Sequence, residues 1–457
     1  STAASVCASV AVRERHVASC DAGNSWGIEA APTAGGGRDK RLSRRCARHG
    51  GGKREATLGV CGGWAGRFGS APMGIAKILV AAGLLAAARF SVAPARTRRT
   101  WLVALVATEL GQVWAVVAAI LAVWAASRVG DGGTIVETAL RAGAAAGAAI
   151  AAGLFTRPVL SAARLAGRAR RELADVFGAR GAREENTPLW SLSRLLIWPM
   201  WTRRVAVETH DADGLSVDFY RPAGGAPSAG APCVVLVHGG GWDSGDRAQL
   251  AGFNHWLAAR GVAVASLSYR LAPAHRWPAQ RDDVRAGVAW VRANATRLGI
   301  DPARLTLLGR SAGAQIATAA AFGESLPGVR AVVALYGCFD LEFVWSIRSE
   351  KDALNSDKLL RQFLGGPPDG ARAELFRSGS AEKLVHAGVP PTLIIHGVLD
   401  ELVWCRHSER LAAALKAAGV PHVLLRLPWA THAGEANLHG PSGQLITGAV
   451  LRVARGV

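Results

Sequence analysis

Between residues 203 and 457 the chain repeats one pattern: a short, wholly apolar run followed by a stretch with helical spacing. Cys233-Val234-Val235-Leu236-Val237 has no polar alternation. A strand of that kind is buried on both faces. Val262–Leu267, Leu305–Leu308, Ala331–Leu335, Thr392–Ile395 and His422–Leu427 are similar. Helical patterns lie between them, for example Asp282–Leu298 and Ser408–Ala418. Strands alternating with helices in this way predict an α/β fold with a mostly parallel sheet covered on both sides. The first two runs differ. Val205–Thr209 and Leu215–Tyr220 alternate polar with apolar around Asp213-Gly214, as antiparallel edge strands joined by a tight turn would.

The chemistry falls where these strands end. Gly309-Arg310-Ser311-Ala312-Gly313 directly follows the run Leu305–Leu308 and precedes the helical run Ala314–Ala321. Strand, G-x-S-x-G and helix together form a nucleophile elbow, a sharp turn that lifts the Ser311 hydroxyl above the sheet. Gly309 and Gly313 keep the neighbouring backbones free to approach. His238-Gly239-Gly240-Gly241-Trp242 follows the run Cys233–Val237. Acyl transfer builds negative charge on an oxygen, and backbone N–H groups aimed at that oxygen lower the barrier. The N–H groups of Gly240, Gly241 and Ala312 are the candidate donors, with His238 and Gly239 shaping the loop. An acid and then a histidine should follow the serine. Asp400 lies 89 residues after Ser311, in His396-Gly397-Val398-Leu399-Asp400, and His432 lies 32 further on. Glu401 competes with Asp400, and His422 and His439 compete with His432.

These motifs give residues 203–457 a resemblance to the hormone-sensitive-lipase-like carboxylesterases of the α/β-hydrolase fold. The HGGGW loop and the GxSAG elbow carry it. So does Tyr269-Arg270-Leu271-Ala272-Pro273-Ala274-His275-Arg276-Trp277-Pro278-Ala279 followed by Asp282-Asp283-Val284, which is similar to the family's YRLAPEHPFPA…DDV segment. The resemblance implies a mostly parallel, eight-stranded type of sheet flanked by helices. It implies Ser311, Asp400 and His432 as catalytic triad, Gly240, Gly241 and Ala312 as oxyanion hole, and structural work for Asp282 and Asp283. It also implies an N-terminal cap. Two departures stand out. Arg310 occupies a position that is usually acidic, and Ala433-Gly434 follows the base where the family has a small residue and Phe.

Charge separates the rest of the chain from this domain. The formal net charge is +19, yet residues 205–457 carry 25 basic and 22 acidic residues. The basic excess lies upstream, so it does not mark the α/β domain as a nucleic-acid binder. Residues 1–72 are rich in Gly, Arg, Ala and Ser and read as a disordered or non-native leader ahead of Met73. Residues 73–156 hold three apolar stretches, 74–90, 101–127 and 134–156, which predict transmembrane helices. The uninterrupted length of 101–127 makes it the clearest span, and Glu137 and Arg141 are spaced to pair on one helical face. Arginines cluster between the first two stretches and after the third and thin out between the last two, which places the catalytic domain on the cytoplasmic side. Residues 157–202 read as a basic, amphipathic linker or as the cap.

Seven cysteines form no CxxC pair, so neither a zinc site nor a disulfide framework is expected. The function expected is that of a membrane-anchored serine carboxylesterase, acting on a small-molecule or lipid-like ester without metal or cofactor. An amidase, peptidase or acyltransferase would share the triad. A silent ligand-binding domain on a membrane stem would lack one of these groups, and the sequence carries them all.

Overall fold

A computed structural model describes residues 71–178, 188–197, 201–225 and 229–456. All but the end of the expected leader, residues 1–70, lies outside the described residues. Eight strands form one sheet: β1 (Val207–Ala212), β2 (Leu215–Tyr220), β3 (Ala231–Val237), β4 (Ala263–Leu267), β5 (Ile300–Arg310), β6 (Val329–Leu335), β7 (Thr392–Gly397) and β8 (His422–Leu427). Their order is β1-β2-β4-β3-β5-β6-β7-β8. β1 and β2 pair antiparallel through the turn at Asp213, whose φ of 55° and that of Gly214 at 87° allow so tight a reversal. β2 meets β4 antiparallel, and every later pairing is parallel.

The two-residue period of a strand sorts its side chains between two cores. Val235, Val237 and Leu307 face one side, packed with helices α6 (Ala279–Ala293), α8 (Ala312–Gly323) and α12 (Arg406–Ala417), which contribute Val284, Ile316 and Leu411. Val234, Leu236 and Leu308 face the other, against α5 (Ala251–Ala258) and α13 (Pro441–Gly456). The predicted helix over Asp282–Leu298 divides into α6 and a single turn, α7 (Ala295–Leu298). Three helices, α9 (Leu341–Ile347), α10 (Ser356–Leu364) and α11 (Arg372–Gly379), are inserted between β6 and β7.

Upstream lie α1 (Ala71–Ala88), α2 (Arg98–Glu109), α3 (Gly111–Ser127) and α4 (Ile135–Phe177). The stretch 101–127, expected as one continuous span, is broken: α2 and α3 meet at 81°. The cause is polar. Glu109 is buried; its Oε2 accepts from Ser442 N–H (3.1 Å), and its carbonyl oxygen accepts from Asn437 Nδ2 (2.6 Å). The end of α2 is thereby tied to the α/β domain, whereas α3 turns away to pair with α4. Gly111 permits that turn, because a Cβ there would lie 2.5 Å from the Phe155 carbonyl oxygen.

α4 runs for 43 residues, roughly 65 Å at 1.5 Å per residue. The boundary expected at residue 156 falls inside it. Its second half is continuous with the first and packs Ala162, Ala169, Leu173 and Phe177 into the second core. The pair expected between Glu137 and Arg141 does not form. Glu137 closes a capping box with Thr134 at the start of α4, and Arg141 reaches the carbonyl oxygens of Arg128 and Gly132, both at 3.1 Å. A free helix N-terminus and loop carbonyls need partners more than two exposed side chains need each other. Among the described residues, α4 is the one helix long and apolar enough to cross a membrane, and the bent pair α2–α3 would be a second if it formed one span.

Gly111→Val would force Phe155 and α3 apart. Overpacking of that kind costs about 1–3 kcal/mol, so thermal unfolding of the variant is expected several degrees below that of the native protein.

Candidate active site

β5 ends at Arg310 and α8 starts at Ala312, so Ser311 alone makes the turn between them. Its backbone sits at φ 51°, ψ −120°, a conformation L residues rarely adopt and one that costs of order 1–3 kcal/mol. Ser311 N–H is held by the Leu335 carbonyl oxygen at 2.9 Å, across to β6. The glycines on either side are sterically required. A Cβ at Gly309 would lie 2.2 Å from the Gly313 carbonyl oxygen, and one at Gly313 would lie 2.3 Å from that of His238.

The loop after β3 lies against the same turn. A Cβ at Gly239 would come within 3.3 Å of the Ser311 Cβ. Gly239 N–H is used locally, donating to Gln249 Oε1 at 2.9 Å. Gly240 and Gly241 take φ values of 129° and 61°; a side chain at Gly240 would strike the Ser244 carbonyl oxygen at 2.0 Å, and one at Gly241 would meet Leu359 of α10. Trp242 locks the end of the loop by donating Nε1–H to Gln315 Oε1 (2.8 Å) and stacking on Phe363 of α10 with ring centroids 4.5 Å apart. His238 is a strut. Its ring stacks on Tyr269 at 4.1 Å, and the Tyr269 hydroxyl donates to its carbonyl oxygen at 3.1 Å. Burial pushes the His238 imidazole down to about 4, so it is neutral at pH 7. The segment carrying Tyr269 is itself anchored by Arg270, which reaches Asp283 through its backbone N–H (2.8 Å) and its guanidinium (2.6 Å).

The candidate acid and base come together beyond β7 and β8. His432 Nδ1 donates to Asp400 Oδ2 at 2.6 Å. Asp400 Oδ1 accepts from the backbone N–H groups of Leu402 (2.9 Å) and Val403 (3.0 Å). Burial alone would raise the Asp400 carboxyl, but the charge of His432 and the hydrogen bonds from His396 and His432 outweigh it and hold the group well below the usual carboxylate range. Of the competitors, His422 opens β8 at the opposite end of the strand, with Nδ1 2.9 Å from the Val420 carbonyl oxygen. His439 donates Nε2–H to the Trp201 carbonyl oxygen at 2.8 Å. Asp400, not its neighbour Glu401, bonds to His432.

Three further neighbours were not assigned a part from the sequence. His396 lies behind Asp400, Nε2 3.3 Å from Oδ2 and 2.8 Å from the Val403 carbonyl oxygen, while the Ser408 hydroxyl occupies its Nδ1 at 2.6 Å. Tyr336 lays its ring 4.4 Å from that of His432 and gives its hydroxyl to Glu435. Trp101 of α2 donates Nε1–H to the His432 carbonyl oxygen at 3.2 Å. Only the motif His-Gly-x-x-Asp, which contains His396, could have pointed to any of them.

A pH dependence follows. His238 has a folded-state pKa of about 4 against an ordinary 6.5. A depressed pKa contributes stability that is present above 6.5 and lost as the pH falls through 4, and Asp400, also depressed, acts in the same direction at lower pH. Thermal melts are expected to weaken steadily from pH 6.5 to 4, with a shallower fall in His238→Gln; identical slopes would show that this imidazole is not buried neutral.

The family described as BD-FAE matches residues 217–415. The chain is similar to two proteins of Mycobacterium tuberculosis. Esterase LipC is 32% identical over 220 residues, 45% of this chain and 54% of the relative. Esterase LipQ is 32% identical over 234 residues, 48% of this chain and 53% of the relative. The chain thus spans about half the length of the curated relatives it matches. Among solved structures, a hyperthermophilic esterase from Pyrobaculum calidifontis is 23% identical with a TM-score of 0.49, covering 64% of this chain and 93% of that one. Within residues 217–415 the sequence matches make this α/β domain similar to these esterases, and the strand order and the elbow at Ser311 agree with that likeness.

Proposed function

We propose that the protein is a serine carboxylesterase held at a membrane by its N-terminal helices. The observation that carries the chemistry is the short Asp400–His432 hydrogen bond beyond strands β7 and β8, on the sheet whose strand β5, separated from β7 by β6, ends in the strained turn at Ser311. His432 Nε2 takes the Ser311 proton as Oγ attacks the ester carbonyl carbon. The N–H groups of Gly240, Gly241 and Ala312 hold the oxyanion. Collapse of the tetrahedral intermediate breaks the C–O bond, and His432 passes its proton to the departing alcohol. Water then attacks the acyl-enzyme by the same route, releasing the acid and restoring Ser311. Asp400 fixes the Nδ1–H tautomer and stabilises the imidazolium. The esterase names of LipC and LipQ support the same reaction class.

The anchor reading rests on surface chemistry. Val116, Ile120 and Val123 of α3 and Ile135, Val136 and Ile150 of α4 are exposed. Apolar surface on that scale calls for a hydrocarbon neighbour. The tip between α3 and α4 neutralises itself through Arg128–Asp131 (3.0 Å), while Arg96, Arg98 and Arg99 precede the bent pair α2–α3 in sequence and Arg164 lies in the second half of α4. A hairpin with a neutral tip and basic flanking sequence enters from the cytoplasmic side, the side on which the α/β domain would then sit.

With full-length protein in a nonionic detergent, a fluorophosphonate probe is expected to label the native enzyme and not Ser311→Ala. p-Nitrophenyl esters from acetate to palmitate should be turned over by the native enzyme alone. Asp400→Asn should lower kcat by about 10³–10⁴-fold with a much smaller change in KM. Labelling without ester turnover would favour an amidase or acyltransferase, and labelling that persists in Ser311→Ala would overturn the assignment. Membranes washed with alkaline carbonate should retain the protein; its release would overturn the anchor.

A further inference from the structure

A second cavity, of about 320 Å³, opens between the segment following α4, the end of α5 and the turn before α13. Arg194, Trp201, Arg203, Trp256, Arg260 and His439 line it, and among the described residues no carboxylate does. None of the residues assigned to ester hydrolysis takes part. Arg194 is half-buried, and its NH2 meets only neutral acceptors, the Leu438 carbonyl oxygen at 3.0 Å and the Thr447 hydroxyl at 3.4 Å. Arg260, at the rim, gives NH1 to the Trp256 carbonyl oxygen at 3.1 Å. The charges acting on these groups are of their own sign: Arg260 on Arg194, Arg455 on Arg260, and both Arg194 and Arg260 on His439. Burial and this repulsion push the Arg194 guanidinium down to about 10.

Trp256 is packed between the arginines, its ring centroid 5.3 Å from the Arg194 guanidinium carbon and 3.8 Å from that of Arg260. Stacking offsets part of the like-charge repulsion. It supplies no counter-charge, and it leaves one group stranded: the Trp256 Nε1–H is buried without a hydrogen-bond partner. An indole N–H can only donate. That donor is shut off from the cavity, so the unmet demand of the wall is its excess of guanidinium charge, which an oxyanion would answer.

We propose that this cavity binds a phosphate group, with Arg194, Arg203 and Arg260 providing the charge. Arginine's planar fork suits tetrahedral oxyanions. The surroundings favour a phosphate carried by a lipid. Leu192, Leu196 and Trp201 stand exposed around the arginines, with Leu196 at 87%. Apolar and aromatic residues beside arginines are the composition that settles at a headgroup layer. The lipid source rests on the membrane reading above. The phosphate site does not, and neither depends on ester hydrolysis.

The test uses full-length protein in nonionic detergent, titrated calorimetrically with inorganic phosphate and with dihexanoyl phosphatidic acid, with Trp fluorescence recorded in parallel. Saturable one-to-one binding, weakened at least tenfold in Arg194→Gln and weakened further by salt, is the expected result. Arg203→Gln, at an exposed position, provides a second variant with no demand on the core. Tighter binding of the lipid than of inorganic phosphate would identify a headgroup site; equal affinity would identify a site for free phosphate. Turnover of a soluble ester should be unchanged in both variants. Absence of saturable binding for either probe, or equal affinity in native protein and both variants, would overturn the proposal.

Discussion

The Arg310 guanidinium is the charge around which the catalytic end of the sheet is assembled. It is 1% exposed, at the last position of β5, with Nε 3.2 Å from Glu435 Oε1, NH1 3.2 Å from the Gln249 carbonyl oxygen and its carbon 4.6 Å from the Phe253 ring centroid. Burying either charge alone would cost several kcal/mol, so each is tolerable only with the other in place. The positions of the partners then matter. Arg310 immediately precedes Ser311. Glu435 follows His432 by three residues and also takes the Tyr336 hydroxyl, whose ring lies against His432. One buried ion pair thus clamps the strand of the candidate nucleophile, Ser311, to the loop that carries the candidate base, His432. It also accounts for the departure at Arg310. Where relatives of this resemblance place an acid at the elbow, this chain has a base, and the acid stands in the loop after the histidine.

The N-terminal helices are tied into the same loop. Trp101 holds the His432 carbonyl oxygen, and Glu109 accepts from Ser442 while its backbone carbonyl takes Asn437 Nδ2. Gly440 and Gly443 are close-packed there: a Cβ at Gly440 would lie 2.5 Å from Glu109 Oε2, and one at Gly443 would lie 1.8 Å from the Asn437 carbonyl oxygen. Such packing leaves α2 little freedom to shift without disturbing residues 432–443. The geometry of the base therefore depends on elements more than three hundred positions upstream in sequence.

Much of the α/β domain was legible because its signals are local. Six apolar runs became strands within a few residues of their predicted bounds, since a strand buried on both faces has little choice of side chain. The elbow was legible because Gly309 and Gly313 are forced by backbone contacts under 2.5 Å, a steric demand that leaves a fixed spacing in the sequence. What escaped was set by distant partners. The break at Leu110 depends on Asn437 and Ser442, and nothing near residue 110 announces it. Glu137 and Arg141 have the right spacing to pair, yet each found an unsatisfied backbone group closer to hand. Arg310 looked like an anomaly until its partner, 125 positions later, was in view.

The same logic bears on which esters could reach Ser311. α10, from the insertion between β6 and β7, sets Leu359 against Gly241 and Phe363 against Trp242, so the loop proposed to hold the oxyanion is backed by an apolar wall. On the side of the base, the neighbour is α2, which places the Trp101 indole at the His432 backbone. The resemblance implied a cap of N-terminal origin, and residues 157–202 were its expected source. Residues 162–177 are instead spent on the second core, and the N-terminal element that reaches the base is α2. α2 leads directly into α3, whose valines and isoleucine are exposed and which the proposed reading places in the membrane. A change in how α3 and α4 are embedded would be felt first at Leu110, the single residue between the two helices, and next at Trp101. On the membrane reading proposed above, an amphiphilic ester resting at the surface would approach the site beside α2, which touches the loop of His432 and leads into α3.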